Sequence, residues 1–231
     1  MKIVRTDSEL QTPVVDQKLR AMGHELVLLP DGVAGDDLIA EVRDADLLLM
    51  CYTPVTRRVI EAAARLRGIV KYGVGIDAID IPAAIERGIV VVNIPEYAEE
   101  TVAEGAFALL IALARKLPAL GAQMAAEGWA WPEPRWLGRD IAGSTVGIIG
   151  LGRIGCSMAR MAGAGFRARV IAYSPHTPEV AFREAGVERC TDLHELLAKS
   201  DFVTVHSVLN AETRHLLGCL LYTSPSPRDC N

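Results

Sequence analysis

A glycine-rich turn between a short apolar strand and a helix constrains this chain more than any other feature. The strand is predicted over Thr145 to Ile149, the turn reads Gly150-Leu151-Gly152-Arg153-Ile154-Gly155, and a second strand is predicted over Arg169 to Tyr173. Such a glycine pattern is weak evidence alone, but between a strand and a helix it is typical of dinucleotide-binding sheets. The sequence pattern therefore predicts that residues 145–174 form a βαβ unit that holds the pyrophosphate of a nicotinamide cofactor.

The three glycines of this turn have separate predicted roles. Gly150 permits the tight turn, Gly152 lets the backbone approach the pyrophosphate, and Gly155 allows the helix to pack closely on the strand. The amino end of the helix adds N–H groups without helical partners and a partial positive charge, and both favour a diphosphate. The alternative is a glycine-rich turn that binds no ligand.

The end of the second strand bears on the choice between NAD and NADP. An acidic residue usually stands there and bonds the ribose hydroxyls, whereas this chain has Ser174, which does not exclude a 2′-phosphate. His176 could face such a phosphate, although no arginine stands beside it. NAD is therefore expected as the cofactor, with NADP possible. Residues 174–178 also read as a simple turn that leads into a helix.

Short apolar runs alternate with helical segments on both sides of a central helix, which is typical of parallel sheets. The predicted strands are Lys2 to Val4, Glu25 to Leu29, Asp46 to Cys51, Gly68 to Tyr72, Ile89 to Asn93, Thr145 to Ile149, Arg169 to Tyr173, Val187 to Cys190 and Phe202 to Val205. The predicted fold class is therefore α/β. It comprises one domain over residues 1–98 and an incomplete, doubly wound domain over residues 99–218.

The central helix, predicted from Glu99 to Lys116, is apolar on all sides between Ala106 and Ala114. This pattern predicts burial on several sides, in a domain or subunit interface. It suggests that the intact protein is a homodimer, although a single chain could also bury these residues. The same apolar run is too short to span a bilayer, so no membrane partner is expected.

Composition narrows the class of protein further. The formal net charge is -5 without basic clusters, and aromatic residues make up 5% of the chain. A nucleic acid is therefore an unlikely partner, since neither a basic groove nor stacking platforms are indicated. The five cysteines form no CxxC pair and show no metal-ligand spacing with histidine. Reduced thiols, a cytoplasmic location and no metal site are therefore expected.

Five motifs in this sequence carry a family resemblance: Tyr72-Gly73-Val74-Gly75-Ile76-Asp77, residues 87–95, Thr101-Val102-Ala103-Glu104, the glycine turn with the strand before it, and Thr204-Val205-His206 followed by Glu212-Thr213. Together they resemble the D-isomer-specific 2-hydroxyacid dehydrogenase family, nearest to its phosphoglycerate and hydroxypyruvate reductase-like members. The resemblance implies a flavodoxin-like substrate domain and a Rossmann cofactor domain. It also implies an oxidoreductase that interconverts a D-2-hydroxy acid and its 2-keto acid with NAD or NADP.

The resemblance also assigns substrate-binding residues. The loop Gly73-Val74-Gly75 follows the fourth strand, so it faces the crevice where parallel sheets bind ligands, and its amides can cradle an anion. By resemblance this loop holds the substrate carboxylate, Val74 also lies near the nicotinamide, and Lys71 adds attraction to an acidic substrate. Alternatively, the glycines serve only the turn.

Further cofactor contacts follow from the resemblance. It assigns Arg153 and Ile154 to the phosphates and ribose, and it assigns His206 and Ser207 to the cofactor as well. Relatives commonly have proline after the position of Ser207, where this chain has Val208. The full predicted cofactor set is Val74, Gly150, Gly152, Arg153, Ile154, Gly155, Ser174, His206 and Ser207.

No catalytic residue is predicted within this chain. In the family, an arginine, a glutamate and a histidine lie beyond the position that matches Gly218, so the chain is expected to be truncated and inactive as it stands. Residues 219–231 match nothing in the family and are expected to be artefactual or disordered. A nicotinamide-sensing regulator of the corepressor type is the alternative function, since one fold serves both classes.

Overall fold

The computed structural model describes residues 1–218 and divides the chain into two compact units. The first unit is Met1–Tyr97, and the second begins at Ala98. The predicted tail over residues 219–231 lies outside the described residues. The assignment of the two units to substrate and cofactor stays a prediction at this point.

The first unit is a five-stranded parallel sheet flanked by helices, as the alternating pattern predicts. Its strands are β1 (Lys2–Arg5), β2 (Glu25–Leu28), β3 (Leu47–Met50), β4 (Gly68–Lys71) and β5 (Val90–Asn93). Its helices are α1 (Pro13–Ala21), α2 (Gly35–Val42), α3 (Arg57–Ala62) and α4 (Ile81–Glu86). The strand order β2-β1-β3-β4-β5 is the flavodoxin-like order, which confirms the predicted fold of this unit.

Apolar side chains on both faces of this sheet explain why its strands read as nearly continuous apolar runs. Val4, Leu48 and Ile69 from the three central strands are fully buried, and Leu38 and Ile60 from α2 and α3 join the same core. This core fixes the carboxyl ends of β1, β3 and β4 side by side. The loops that follow these strands therefore meet at one edge of the sheet.

Over residues 98–218, the second unit contains a four-stranded parallel sheet and five α-helices. Its strands are β6 (Thr145–Ile149), β7 (Arg169–Tyr173), β8 (Glu188–Cys190) and β9 (Phe202–Val205). Its helices are α5 (Glu99–Ala114), α6 (Leu117–Glu127), α7 (Arg153–Arg160), α8 (Glu179–Glu184) and α9 (Leu193–Lys199). The order β8-β7-β6-β9 is that of the first four strands of a Rossmann sheet, so this part of the predicted fold is also confirmed.

Within the single chain, one face of α5 is buried. Phe107 and Leu110 are buried in the core of the second unit, whereas Leu109 is 68% exposed and Leu113 is 73% exposed. The buried face packs against α7, and burial of the other face in a subunit interface stays a prediction. The apolar pattern itself cannot show which sides are covered.

The helix α6 was not predicted, because Pro118 and Gly121 interrupt its sequence pattern. It follows α5 after a bend of 60°. Within residues 1–218 no single helix has the length and apolar character needed to cross a membrane, although α5 and α6 together meet that measure as a bent pair.

Candidate dinucleotide and anion sites

The turn between β6 and α7 lies directly against the chain that follows β9. Gly150 has φ +94°, and a Cβ atom on it would lie 2.6 Å from the backbone nitrogen of Ser207 and 2.7 Å from the carbonyl carbon of His206. Its own N–H donates to the carbonyl oxygen of Tyr173 at 2.9 Å. Only glycine satisfies both the left-handed backbone and the close approach.

The other two glycines of the turn have opposite surroundings. A Cβ atom on Gly155 would lie 2.2 Å from the carbonyl oxygen of Gly150, so α7 approaches the turn as closely as a backbone can. A Cβ atom on Gly152 would meet no atom within 4 Å. The sequence assigns Gly155 to helix packing and Gly152 to ligand approach, and these distances fit both roles.

A pocket of about 380 Å³ opens beside this turn. It is lined by five of the predicted cofactor residues: Gly150, Gly152, Ser174, His206 and Ser207. Three others belong to the first turn of α7, where Arg153 is exposed, Ile154 is half-buried and Gly155 is buried. The amino end of an α-helix attracts anions through its backbone N–H groups and its partial positive charge, so a diphosphate is a suitable ligand for this end of α7.

The wall of the pocket at the end of β7 is built from hydroxyl groups. The Oγ atom of Ser174 and the Oγ1 atom of Thr177 lie 2.9 Å apart, and the N–H of Thr177 donates to the carbonyl oxygen of Ser174 at 3.2 Å. Residues 174–177 therefore form a turn and also line the pocket, so the turn and ligand roles are compatible. Both hydroxyls are suitable partners for a ribose.

Glu212 is a pocket residue that sequence reasoning did not assign to the site. Its Oε2 atom lies 3.4 Å from Nε2 of His176, and both side chains are exposed. The only sequence signal was the Glu212-Thr213 motif, which carried the family resemblance without indicating a role. Glu212 thus places a carboxylate near the end of β7, where Ser174 does not supply one.

His206 is fixed between the turn and β9. Its backbone N–H donates to the carbonyl oxygen of Ile149 at 2.7 Å, and its Nε2 atom lies 2.9 Å from Oγ1 of Thr204. Burial lowers the pKa of His206 below its ordinary value, so the ring is neutral at pH 7. A neutral ring lines the pocket without adding charge to it.

In the first unit, the loop Gly73-Val74-Gly75 follows β4 as predicted. The carbonyl oxygen of Gly73 accepts from the N–H of Ile94 at 3.1 Å, and that of Val74 accepts from Nδ2 of Asn93 at 2.8 Å. Within residues 1–218, the backbone N–H groups of this loop donate no hydrogen bond. The loop is therefore held through its carbonyls, and its N–H groups are available to an anion.

Lys71, the last residue of β4, lies beneath this loop. It is only 7% exposed, and its Nζ atom donates to the carbonyl oxygen of Cys51. The same Nζ atom lies 5.4 Å from the centroid of the Tyr52 ring, within the range of a cation–π contact. The structure thus places Lys71 and the loop together, as the sequence predicts.

Asp7 supports the neighbouring loop and was missed by sequence reasoning. It has φ 54°, and its Oδ2 atom accepts from the N–H groups of Cys51 at 2.8 Å and Tyr52 at 3.1 Å. Burial raises the pKa of Asp7, but these hydrogen bonds outweigh it and the net pKa is lowered. The available signal was a carboxylate two positions after the end of the first strand.

The predicted substrate and cofactor residues occupy different units. Lys71 and the glycine loop belong to the first, and the glycine turn belongs to the second. A contact between Val74 and the nicotinamide therefore stays a prediction. Across the described part of the chain, no group of three or more His, Cys, Asp and Glu residues is arranged to hold a metal ion.

A parallel sheet in the order β8-β7-β6-β9, with a glycine turn after its first strand, defines a Rossmann-type dinucleotide-binding domain. Residues 107–219 match the family model described as "D-isomer specific 2-hydroxyacid dehydrogenase, NAD binding domain". The chain belongs to the D-isomer-specific 2-hydroxyacid dehydrogenase family, which confirms the resemblance.

Three similar proteins show how far the relationship extends. The chain is 40% identical over 188 residues to D-3-phosphoglycerate dehydrogenase of Methanocaldococcus jannaschii, covering 81% of this chain and 35% of the relative. It is 42% identical over 184 residues to glyoxylate reductase of Korarchaeum cryptofilum, and this match covers 78% of this chain and 55% of the relative. The crystal structure of the TT0316 protein from Thermus thermophilus matches with a TM-score of 0.82 and 34% identity, over 94% of this chain and 68% of that protein. The chain therefore spans only about a third to just over half of these two curated relatives.

Proposed function

We propose that the intact protein is an NAD(P)-dependent oxidoreductase that interconverts a D-2-hydroxy acid and its 2-keto acid. The observation that carries this proposal is the open space above Gly152, at the amino end of α7. Membership of the family supports it, and two relatives are named as a phosphoglycerate dehydrogenase and a glyoxylate reductase. When bound, the nicotinamide supplies the site that gives or takes the hydride.

The residues of this chain then have defined tasks in binding. Gly152 and the first N–H groups of α7, at Arg153 and Ile154, bind the diphosphate, while Gly150 and Gly155 fix the turn. Ser174 bonds the ribose, and His206 and Ser207 line the pocket between these two points. The glycine loop of the first unit binds the carboxylate of the substrate.

NAD is the preferred cofactor in this proposal. A 2′-phosphate carries close to two negative charges, and Glu212 places a carboxylate in the lining of the pocket. Because Glu212 and His176 are exposed and water screens them, the discrimination is modest and NADP can also bind.

Titration with two adenosine ligands tests both parts of the proposal. In calorimetry, the 231-residue chain should bind NADH about 3- to 10-fold more tightly than NADPH, which differs from it only by the additional 2′-phosphate. Glu212→Gln should reduce this ratio of affinities and leave NADH affinity nearly unchanged. Tighter binding of NADPH would make NADP the cofactor, and absence of binding by both ligands would refute the cofactor site.

We also propose that the intact protein is a homodimer. Leu109 and Leu113 on α5 and Leu117 on α6 are exposed, and an exposed apolar surface of this kind commonly marks a contact between subunits. Leu109→Asp should therefore shift the protein from dimer to monomer in sedimentation analysis. Val180→Asp, at a separate exposed apolar residue on α8, is the control and should leave a dimer. A wild-type protein that sediments as a monomer contradicts the proposal.

A cytoplasmic location completes the proposal. Cys51, Cys156 and Cys190 are free thiols, and this supports a reducing compartment. The proposed partners are small 2-hydroxy or 2-keto acids. No observation of either site favours the corepressor-like alternative.

A further inference from the structure

We propose that Asp7 is a positioning residue for the glycine loop of the first unit. Its buried carboxylate fixes the chain that follows β3, residues 51–55, which we name the β3 loop, and the β3 loop holds the glycine loop at both ends. This inference rests on the proposed function, because the glycine loop is the substrate site of that proposal. The motifs that carry the family resemblance do not include Asp7.

Hydrogen-bond donors enclose the carboxylate of Asp7, which is only 2% exposed. Its Oδ2 atom accepts from the backbone N–H groups of Cys51 at 2.8 Å, Tyr52 at 3.1 Å and Thr53 at 3.4 Å. The hydroxyl of Thr6 also donates to Oδ2, at 2.7 Å, and the hydroxyl of Thr53 donates to Oδ1 at 3.2 Å. Successive N–H groups that converge on one oxygen form an anion nest, so this carboxylate determines the backbone conformation of the β3 loop.

The two residues that precede the glycine loop are bonded to backbone next to this carboxylate. The carbonyl oxygen of Cys51 accepts from Nζ of Lys71, the last residue of β4. The hydroxyl of Tyr72 donates to the carbonyl oxygen of Thr6 at 2.6 Å. The entry to the glycine loop is therefore held by Thr6, which precedes Asp7, and by Cys51, the first residue whose N–H Asp7 accepts.

The β3 loop also holds the chain that leaves the glycine loop. Val55 pairs in parallel with Ile79. The N–H of Val55 donates to the carbonyl oxygen of Ala78 at 2.8 Å, and its own carbonyl oxygen accepts from the N–H of Asp80 at 3.0 Å. Residues 73–75 thus lie between two attachments to the same β3 loop. A β3 loop that loses its conformation would release both ends, so the position of these amides depends on the carboxylate of Asp7.

A role in the backbone turn after β1 is the competing explanation, because Asp7 has φ 54°, in the left-handed region. Two variants separate the roles, since glycine and asparagine both adopt this conformation readily. Asp7→Gly keeps the turn and removes the carboxylate. Asp7→Asn keeps an oxygen that can replace Oδ2, and its amide can donate to the hydroxyl of Thr53. A positioning role is lost in the glycine variant and rescued in the asparagine variant, whereas a turn role survives in both.

Backbone amide NMR with oxamate as a carboxylate probe provides the test. In the 231-residue chain, Asp7→Gly should shift the amide signals of residues 73–75 and weaken oxamate binding about 10-fold, while Asp7→Asn should stay within about 3-fold of wild type. Asp46→Gly is the matched control. Asp46 is 7% exposed and accepts from the N–H of Lys2 at 2.8 Å, but it precedes β3 at the opposite edge of the sheet. Its loss should destabilise the same unit and leave oxamate affinity unchanged.

Hydrogen exchange in the wild-type chain gives a second measurement, which holds even when the glycine variant fails to fold. Coupling between two sites is reciprocal, so a ligand at the glycine loop must stabilise the hydrogen bonds that position it. Oxamate should therefore slow exchange of the N–H groups of Cys51 and Tyr52, the two closest backbone donors to Asp7. Unchanged exchange of these groups at saturating oxamate would overturn the inference.

Failure of this inference is distinguishable from failure of the proposed function. If the amides of residues 73–75 do not respond to oxamate in the wild-type chain, the carboxylate site of the proposed function is refuted and the positioning role with it. If they respond, and Asp7→Gly binds oxamate as the wild type does, only the positioning role is overturned. An equal loss of oxamate affinity in Asp46→Gly would also overturn it, because lower stability alone would then explain the effect of Asp7→Gly.

Discussion

Replacing Gly155 with alanine is expected to destabilise the second unit by about 3 kcal/mol or more. The added Cβ atom would lie 2.2 Å from the carbonyl oxygen of Gly150, where real atoms cannot approach. The clashing atom belongs to the backbone of the turn, so no side chain can move aside to relieve the contact. Either α7 must separate from β6 or the turn must change its conformation.

Tryptophan fluorescence measures this effect selectively, because Trp129, Trp131 and Trp136 are the three tryptophans of the chain and all lie in the second unit. Urea unfolding of Gly155→Ala should therefore show a clearly lower midpoint. Gly105→Ala is the matched control, since its Cβ atom would enter open space on α5, and it should gain about 0.5–1 kcal/mol from helix propensity. An unchanged midpoint for Gly155→Ala would mean that α7 does not pack on the turn as described.

The fold was largely predictable because the features that specify it are local in the sequence. Buried parallel strands require continuous apolar runs, and such runs located all nine strands found within residues 1–218. The positions of Gly150 and Gly155 followed from their flanking strand and helix, and the distances in the structure match the roles assigned to them. The boundaries of elements were less accurate: β3 spans Leu47–Met50, whereas the pattern predicted a strand from Asp46 to Cys51.

The parts of the sites that escaped prediction depend on contacts between distant residues. Asp7 binds the loop at Cys51 across 44 positions, and Glu212 reaches His176 across 36 positions. No periodic pattern records such pairs. The exposure of Leu109 is a further example, because an apolar circumference does not show which face a neighbouring helix covers.

A second substitution in the same turn, Gly152→Val, complements Gly155→Ala. It should leave the stability of the fold nearly unchanged and weaken the binding of ADP and NADH about 100-fold. Gly152 has φ -85°, which valine adopts without strain, and a Cβ atom there meets nothing within 4 Å. The branched side chain would instead fill the space beside the first turn of α7 that a diphosphate needs. The expected loss is therefore steric and confined to binding.

Calorimetry with ADP and fluorescence with NADH measure this loss, and tryptophan fluorescence in urea checks that the variant is folded. Gly165→Val introduces the same side chain at an exposed site, also without neighbours within 4 Å, outside the lining of the pocket, and should retain wild-type affinity. A folded Gly152→Val protein that binds ADP normally would show that the turn is only a tight connection between strand and helix. Taken with Gly155→Ala, it separates the two requirements that place glycine in one motif: space for a ligand at Gly152 and contact between backbones at Gly155.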